Sequence, residues 1–253
     1  MASSAALRDY LRARAGWVWN EQNHAFDRGL TLQEETLTEM LLLRMAKDQA
    51  THGLSVRLFN KAQEARNGAD WEWHIRTRGC DLALRVQAKR LYHKRKSADY
   101  GGHDPKSGQT DKLIKIANRH SRIPVYVFFN HDFGTNSDKF TSGGNAPYRG
   151  RSFWGCAIAS AADVKTKKTN KVAGLKPILS PWHSLVSPSG RCMADQFLKQ
   201  PSETIESPRL PGRGDIFEMI GNPEAMEDYT TTAELAGVAI LDFSDFRGHD
   251  VSG

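Results

Sequence analysis

The chain has 253 residues, a formal net charge of +6 and a pI of about 9.2, so it is moderately basic and long enough for one sizeable domain. Its hydrophobic content of 39% includes six tryptophans and eleven phenylalanines, which are sufficient to fill a core. No stretch approaches the roughly 20 apolar residues that span a membrane, and no apolar secretion segment follows Met1, which argues against membrane and secreted classes.

The three cysteines are Cys80, Cys156 and Cys192, which are widely spaced and include no CxxC pair. An odd number without such spacing predicts reduced thiols and a cytoplasmic protein. A zinc site formed by Cys156, His183 and Cys192 is the weaker alternative, because this spacing matches neither a zinc finger nor a zinc ribbon.

Two helices are predicted in the first fifty residues. Residues 4–15 have the pattern of a short amphipathic helix, and an aromatic, polar connector is expected to follow through Arg28. The segment from Thr31 to Asp48 gives the best helix signal in the chain. Thr31 and Glu34 have the spacing of a capping box, which predicts Thr31 as the N-cap and gives Glu34 a structural role.

An antiparallel hairpin is predicted between Gly68 and Leu91, where apolar and polar residues alternate on both sides of Arg78-Gly79. A two-residue turn there places Asp70 opposite Gln87. The first strand face then carries Asp70, Glu72, His74, Arg85, Gln87 and Lys89, and the second carries Trp71, Trp73, Ile75, Leu82, Leu84, Val86 and Ala88. The second face is expected in the core, and the first is the candidate strip for chemistry.

The residues around the hairpin complete the predicted elements. Strands are expected at 53–59, 123–130, 153–160 and 236–243, and helices at 109–120 and around 214–221. The basic, glycine-rich segment 92–108 is predicted as a loop. It is interpreted either as a solvated loop or as a flap that contacts phosphates. Residues 187–214 contain many prolines and are expected to be rich in loops.

This order of elements predicts an α/β fold in which helices flank both faces of a mixed sheet. Neither an internal repeat nor a linker is evident, so residues 1–253 are expected to form one domain. Its core would span about residues 30–160, with a loop-rich C-terminal elaboration at about 161–253.

The polar strip has the residue types that metal-dependent hydrolysis of a phosphodiester requires. Mg²⁺ prefers oxygen ligands, which Asp70, the Gln87 amide and the Ala88 carbonyl can supply. Lys89 lies on the same face as Gln87 and can stabilise a phosphate or orient water. Glu35, carried by the second predicted helix, can add a ligand.

Asp70, Gln87-Ala88-Lys89 and the preceding helix with its glutamates resemble the PD-(D/E)xK nuclease superfamily, and most closely its Mrr-like branch, where QxK replaces (D/E)xK. The resemblance covers about residues 30–160 and implies a restriction-endonuclease-like fold with Mg²⁺-dependent cleavage of DNA, in which Mn²⁺ can substitute. It assigns Glu35 as the helix glutamate, Asp70 as the metal-bridging aspartate, Gln87 as a further ligand and Lys89 as the catalytic lysine.

One departure from that pattern and one further likeness to it add second-tier candidates. The uncharged Gln87 leaves fewer anionic ligands and predicts weaker metal affinity, for which Glu72 on the same face could compensate. The alternative favoured for Glu72 and His74 is that they are half-exposed sheet residues without a catalytic role. Gln109 resembles a glutamine that some branches use near the scissile phosphate, and the favoured alternative is an ordinary helix-start residue.

The sequence therefore predicts a cytoplasmic, Mg²⁺-dependent DNA endonuclease. The candidate nucleic-acid contacts are Arg85, Arg90, Lys94, Arg95 and Lys96. The segments GADWEW and VQAKRL also resemble bacterial proteins that carry this core, some of which are expected in antiphage defence. RNA as substrate, a homodimer and an activating partner protein are left as alternatives.

A catalytically silent nucleic-acid-binding module is the first rival function. It would keep the basic segments 93–96 and 165–171 but would not need Asp70 and Lys89 together. A structural protein whose polar strip is merely solvated is the second rival.

Overall fold

The computed structural model describes residues 3–52, 69–77, 80–94, 97–105, 107–131, 151–187, 192–194, 198, 213–219, 222–233 and 238–242. The strand predicted at 53–59 lies outside them. None of the helices within these ranges is long and apolar enough to cross a membrane.

The first helix, α1 (Ser3–Asp27), is twice as long as predicted, and the connector expected before Arg28 is part of it. It continues because the buried stripe repeats at helical spacing through its second half, as Leu11, Ala15, Val18, Trp19, Gln22 and Ala25 show. The helix ends at Gly29, whose positive φ of 68° suits glycine. The Leu30 N–H donates to the Ala25 carbonyl and the Gly29 N–H to the Phe26 carbonyl, as in a Schellman motif.

The second helix, α2 (Glu34–His52), starts three residues later than predicted. Its buried face contains Leu37, Leu41 and Met45. Thr31 is exposed outside the helix, so it is not the N-cap. The capping-box prediction is wrong because the Glu34 side chain bonds to Lys89 and to the Arg90 N–H rather than back to Thr31.

The hairpin forms in the predicted register. Strands β1 (Trp71–Thr77) and β2 (Cys80–Lys94) are antiparallel, with Thr77 opposite Cys80 and Trp71 opposite Val86. β2 continues past the predicted end and pairs antiparallel with β3 (Ser97–Tyr100). The prediction of a loop is therefore wrong for residues 92–94 and 97–100, because extended pairing continues there.

The remaining strands build a mixed sheet around this hairpin. They are β4 (Ile123–Phe129), β5 (Cys156–Ser160), β6 (Ser180–Pro181) and β7 (Val238–Asp242). Among the described residues the order is β6-β5-β4-β2-β1-β7, with β3 attached to β2. β4 runs parallel to β2, and β7 runs parallel to β1, while the other pairs are antiparallel. The predicted mixed α/β fold is confirmed.

Five further helices follow the hairpin within the described ranges. They are α3 (Gln109–Arg119), α4 (Ala161–Lys167), α5 (Val172–Leu175), α6 (Arg213–Glu218) and α7 (Pro223–Ala233). Short 3₁₀ turns occur at Arg151–Trp154, Lys176–Ile178 and Trp182–Leu185. The turn at 151–154 replaces the first part of the strand predicted at 153–160, and α7 was not predicted.

Buried side chains form one large cluster that unites distant parts of the chain. Leu7 and Leu11 of α1, Leu41 of α2, and Leu241 of β7 belong to it together with alternate residues of the hairpin. Trp182 adds a buried hydrogen bond from its indole N–H to the Leu11 carbonyl, at 2.6 Å. The core therefore draws on residues well outside 30–160.

The cysteines differ from the prediction at one position. Cys156 is free and buried in β5, as expected. Cys192 is disulfide-bonded, so the prediction of three reduced thiols is wrong there and one argument for a cytoplasmic location is lost. Among the described residues, no cluster of three or more His, Cys, Asp and Glu side chains could hold a metal, and the alternative zinc site gains no support.

Candidate active site

Asp70 and Gln87 meet at the open end of the hairpin, as the register predicted. Asp70 immediately precedes β1, and its N–H donates to the Val86 carbonyl at 2.8 Å. The Gln87 amide nitrogen donates to both carboxylate oxygens of Asp70, at 2.9 and 2.8 Å. The Ala88 N–H donates to Asp70 Oδ2 at 2.6 Å. Asp70 is half-buried and Gln87 is buried, so this carboxylate is held on two sides.

The helix glutamate that reaches this position is Glu34, and the assignment of Glu35 is wrong. Glu34 Oε1 lies 3.1 Å from Lys89 Nζ, and Glu34 Oε2 accepts from the Arg90 N–H at 3.1 Å. Glu35 is exposed on α2. Because α2 begins at Glu34, its first residue faces Lys89 and Arg90 of β2, and the next residue is rotated about 100° away.

Lys89 is buried, and the residues after β3 cover it. A side-chain Cβ at Gly102 would lie 3.9 Å from Lys89 Nζ, so the backbone passes close to the amine. The next residue, His103, is buried, and its Nε2 has no hydrogen-bond partner within the described part of the chain. Burial lowers the pKa of His103, and the charge of Lys89 lowers it further. Sequence reasoning missed His103, because it lies in a segment interpreted only as basic and glycine-rich.

Gln109, the first residue of α3, also belongs to the site. Its amide nitrogen donates to Gln87 Oε1 at 2.9 Å. The residue is thus both a helix start and a contact of the QxK glutamine. Its placement follows Gly108, which takes a φ of 72° immediately before the helix.

Glu34 binds the buried ammonium group of Lys89, whose charge also acts on Asp70, yet the pKa values of both carboxyl groups are raised. Burial is the largest cause of the rise in the pKa of Asp70 to about 7, and the charge of Glu34 adds to it. Lys89 and the hydrogen bonds from Ala88 and Gln87 offset part of that rise. The pKa of Glu34 is also raised, chiefly by burial. A site with surplus negative charge in a dry environment favours binding of a cation or a proton.

Glu72, His74 and Arg85 lie on the same strand face but form a separate buried cluster. Glu72 accepts hydrogen bonds from Arg85 at 3.1 Å, from Arg122 at 3.0 Å and from the Tyr229 hydroxyl at 2.5 Å. His74 Nε2 lies 3.1 Å from the same carboxylate. Burial would raise the pKa of Glu72, but Arg122, His74 and Arg85 hold it well below its usual range.

This cluster corrects three expectations. Glu72 does not compensate for the uncharged Gln87, because its two oxygens are occupied by arginine and tyrosine donors. Glu72 and His74 are buried, not half-exposed. Arg85 is buried against Glu72, so its guanidinium is not on a surface that nucleic acid could reach.

The other predicted nucleic-acid contacts have different placements. Arg90 is only 5% exposed, so it is not an open surface contact, and its guanidinium lies over the Tyr92 ring at 3.6 Å. Lys94 is the last residue of β2. Arg95 and Lys96 lie outside the described residues. In the second basic segment, Lys165 pairs with Asp111 of α3 at 2.5 Å.

The donor set at Asp70 fits a hard divalent cation. Both Asp70 oxygens and, at 3.3 Å, the Ala88 carbonyl surround the Gln87 amide nitrogen, so three oxygens converge where an electropositive group lies. Rotation of that amide would turn Gln87 Oε1 toward the same point, because the amide oxygen and nitrogen exchange positions. Oxygen ligands with one or two carboxylates are the set that Mg²⁺ uses when a substrate phosphate and water complete it.

Comparison with protein families identifies the chain as a member of DUF6615, a family of unknown function whose pattern matches residues 7–242. Neither a curated protein nor a solved structure matches the chain. The matched range includes α1 and β7 as well as the candidate site, in agreement with a core that extends across the described chain.

Proposed function

We propose that this protein is a Mg²⁺-dependent nuclease that hydrolyses phosphodiester bonds, and that it acts on DNA as an endonuclease. One observation carries the proposal, which is the proximity of two hydrogen-bonded pairs along β2. Gln87 donates to Asp70 and Lys89 donates to Glu34, and the charges of Glu34 and Lys89 both act on Asp70. Two carboxylates, an amide oxygen, a carbonyl and an ammonium group are the parts that such a hydrolysis needs in one place.

Each residue has a distinct task in this proposal. Asp70 and the Ala88 carbonyl would hold the cation, and Gln87 would add its amide oxygen after rotation. The bound Mg²⁺ supplies Lewis acidity and lowers the pKa of water. Lys89 contacts the phosphate and stabilises the negative charge that develops on it. Glu34 holds Lys89 through its ion pair. Gln109 contacts Gln87 and would keep that hydrogen bond after the rotation by turning its own amide, so that its oxygen accepts from the Gln87 nitrogen.

The resemblance to the PD-(D/E)xK superfamily supports the same proposal, with Glu34 in the role that the sequence pattern assigned to Glu35. The observed topology is a mixed sheet with the QxK sequence on a central strand, next to β1 and β4. A restriction-endonuclease-like fold family, a role in antiphage defence and activation by a partner stay predictions.

Cleavage of plasmid and single-stranded DNA tests the proposal, with Mg²⁺, Mn²⁺ or EDTA in the reaction. The wild type is expected to cut in either metal and to be inactive in EDTA. Asp70→Asn, Lys89→Met and Glu34→Gln are each expected to lower the rate about 100-fold or more, because each removes a group that acts on the transition state or holds one that does.

Glu35→Gln is the matched control, since it makes the same change one residue along the same helix on an exposed side chain. It is expected to leave the rate within about twofold of wild type, in line with a group outside the site. Thermal melting of each variant establishes that it is folded. Cleavage that survives both Asp70→Asn and Lys89→Met would overturn the proposal. Salt-sensitive DNA binding without cleavage would identify the silent binding module instead.

A further inference from the structure

A small cavity lies beside the candidate active site, between α1, the segment before α2, and β2. Its volume is about 120 Å³, and its walls include Gln22, Phe26, Leu30, Arg90 and Tyr92. This is space for several water molecules, because one water needs about 10–15 Å³ in this measure. It is smaller than the pockets of about 300–1,000 Å³ that enclose drug-sized ligands. The space suits one planar ring system.

Two polar side chains of this cavity are buried and incompletely paired within the described part of the chain. Arg90 is 5% exposed, and its Nε and Nη2 have no hydrogen-bond partner there. Gln22 is 4% exposed, and its Oε1 has no partner, while its Nε2 donates to the Asn130 carbonyl at 2.9 Å. Buried polar atoms normally have partners, so these atoms need a ligand or water. Both residues line the cavity, so they are the side chains that would supply donors and an acceptor to an occupant.

Aromatic surfaces complete the walls. The Arg90 guanidinium lies 3.6 Å from the centre of the Tyr92 ring, which fixes its plane. Phe26 is 47% exposed, and its ring lies 5.8 Å from the His131 ring. Exposed aromatic rings and guanidinium planes are the surfaces on which unpaired nucleobases stack.

The cavity is coupled to the candidate active site through one carboxylate. Glu34 accepts from the Arg90 N–H with one oxygen and binds Lys89 with the other. Arg90 follows Lys89, and successive side chains of a strand lie on opposite faces, so a nucleotide next to a phosphate at Lys89 would reach this cavity around the edge of β2 where Glu34 accepts from the Arg90 N–H.

From these observations we infer that the cavity binds a nucleobase, namely an unpaired base of the strand whose phosphate lies at Lys89. The inference rests on the proposed function and deepens it by naming a strand with accessible bases as the substrate. A nucleobase fits better than a phosphate, because a base edge combines donors and acceptors and the Gln22 acceptor would face a phosphate unfavourably.

Binding measurements in EDTA test the inference without any cleavage. The probes are a fluorescent strand of about 12 nucleotides with mixed sequence and an abasic strand of equal length and charge, a length within the site sizes of single-strand-binding proteins. Wild type is expected to bind the base-bearing strand about tenfold more tightly, in keeping with base stacking on aromatic rings. Phe26→Ala is expected to remove most of that difference while leaving affinity for the abasic strand unchanged.

Leu43→Ala is the matched control, because Leu43 is also a helix residue with 49% exposure but does not line the cavity. It should retain the preference for the base-bearing strand. Gln22→Leu, which removes the acceptor, provides a second variant that should reduce the preference. Equal affinity for the two strands, or equal behaviour of Phe26→Ala and Leu43→Ala, would overturn the inference and leave water as the occupant.

A competition arm separates a base within a strand from a free nucleotide. A mixture of the four deoxynucleoside monophosphates is expected to displace the strand only at concentrations far above the strand's dissociation constant. Displacement at comparable concentrations would overturn the strand assignment in favour of a free nucleotide.

The same experiments distinguish failure of the base site from failure of the nuclease. If the wild type does not cut DNA in Mg²⁺ yet keeps the base preference, the proposed nuclease fails and the base site stands. If it cuts DNA without any base preference, the nuclease stands and the base site fails.

Discussion

At the scale of single residues, the candidate site carries an electrostatic cost. Asp70 and Glu34 are both half-buried, and the charge of Glu34 opposes ionisation of Asp70. Groups with strongly raised pKa values concentrate at functional sites, where stability is lost in favour of activity. This cost can be measured independently of any substrate.

Replacement of Asp70 by asparagine is expected to stabilise the protein at about pH 8. The folded pKa of about 7 lies above the ordinary value of 3.8, so the folded state binds more protons between these values and stability falls as pH rises through that window. Asp70→Asn removes the penalty and should raise the free energy of unfolding at that pH by roughly 1–3 kcal/mol, after discount for partial exposure.

Urea unfolding at about pH 4 and about pH 8 measures this effect, with Glu35→Gln as the exposed control that should change stability little at either pH. The gain for Asp70→Asn should vanish at the lower pH, where the carboxyl is protonated in the folded state. A loss of stability at the higher pH would show that the carboxylate is a structural partner of Gln87 and Ala88 rather than a group kept for binding.

The rate of cleavage is expected to follow the same ionisation. With a pKa of about 7, the anionic form of Asp70 increases about tenfold between pH 6 and pH 8, and so should the rate at low Mg²⁺ concentration. Because a cation competes with the proton, a higher Mg²⁺ concentration should move the midpoint of the profile to lower pH. A midpoint that does not move with Mg²⁺ would exclude Asp70 as the cation ligand.

At the scale of elements, β2 organises two separate polar clusters on one face. Arg85 lies in the buried cluster around Glu72, whereas Gln87 and Lys89 lie at the candidate site. The first cluster also ties the hairpin to α7, because Tyr229 donates to Glu72 and accepts from Arg122. Its role is to fix the sheet and its helices so that the second cluster is held in place.

Loss of the Glu72 charge is expected to destabilise the fold. Glu72→Gln leaves two buried guanidinium groups without their counter-ion and should lower the free energy of unfolding by about 3–5 kcal/mol. The control is Asp81→Asn on the same hairpin, since Asp81 is exposed and 3.9 Å from Arg76. It should cost under about 1 kcal/mol. Urea unfolding at neutral pH compares the two variants. Similar losses in the free energy of unfolding would show that the cluster around Glu72 has no special structural role.

At the scale of the whole molecule, the candidate site depends on both ends of the described chain. α1 supplies core residues beneath the sheet, and β7 pairs in parallel with β1, the strand that Asp70 precedes. β7 covers the edge of β1 that would otherwise have unpaired backbone groups. The C-terminal segment is therefore structurally tied to the site, although its sequence pattern is weak.

Removal of residues 176–253 is expected to prevent folding, because it deletes Trp182, Tyr229 and β7 from the buried clusters. Removal of residues 243–253 alone, which lie beyond the family match, should leave the melting temperature within a few degrees of wild type. Circular dichroism melts measure both. A cooperative transition in the chain of residues 1–175 would show that the core near residues 30–160 is an independent domain.

The sequence alone determined the local part of this structure. The period-two alternation around Arg78-Gly79 defined the hairpin register and hence the meeting of Asp70 with Gln87, because a tight turn leaves few registers that bury Trp71 and Trp73. The helix at 109–119 and the buried strand at 123–129 were predicted for the same reason, since their hydrophobic periods are visible within one segment.

Only the tertiary structure decided which distant side chains complete each cluster. Glu34 and Lys89 are 55 residues apart, and Tyr229 and Glu72 are 157 apart, so neither contact leaves a periodic signal. The choice between Glu34 and Glu35 depended on the residue at which α2 begins. The apparent capping box predicted an earlier start and a capping role for Glu34, and both were wrong. Burial of Glu72 and Arg85 depended on α7 and β7 covering them. Local periodicity specifies which side chains share one face of a helix or strand. The packing of the elements specifies which distant side chains that face contacts.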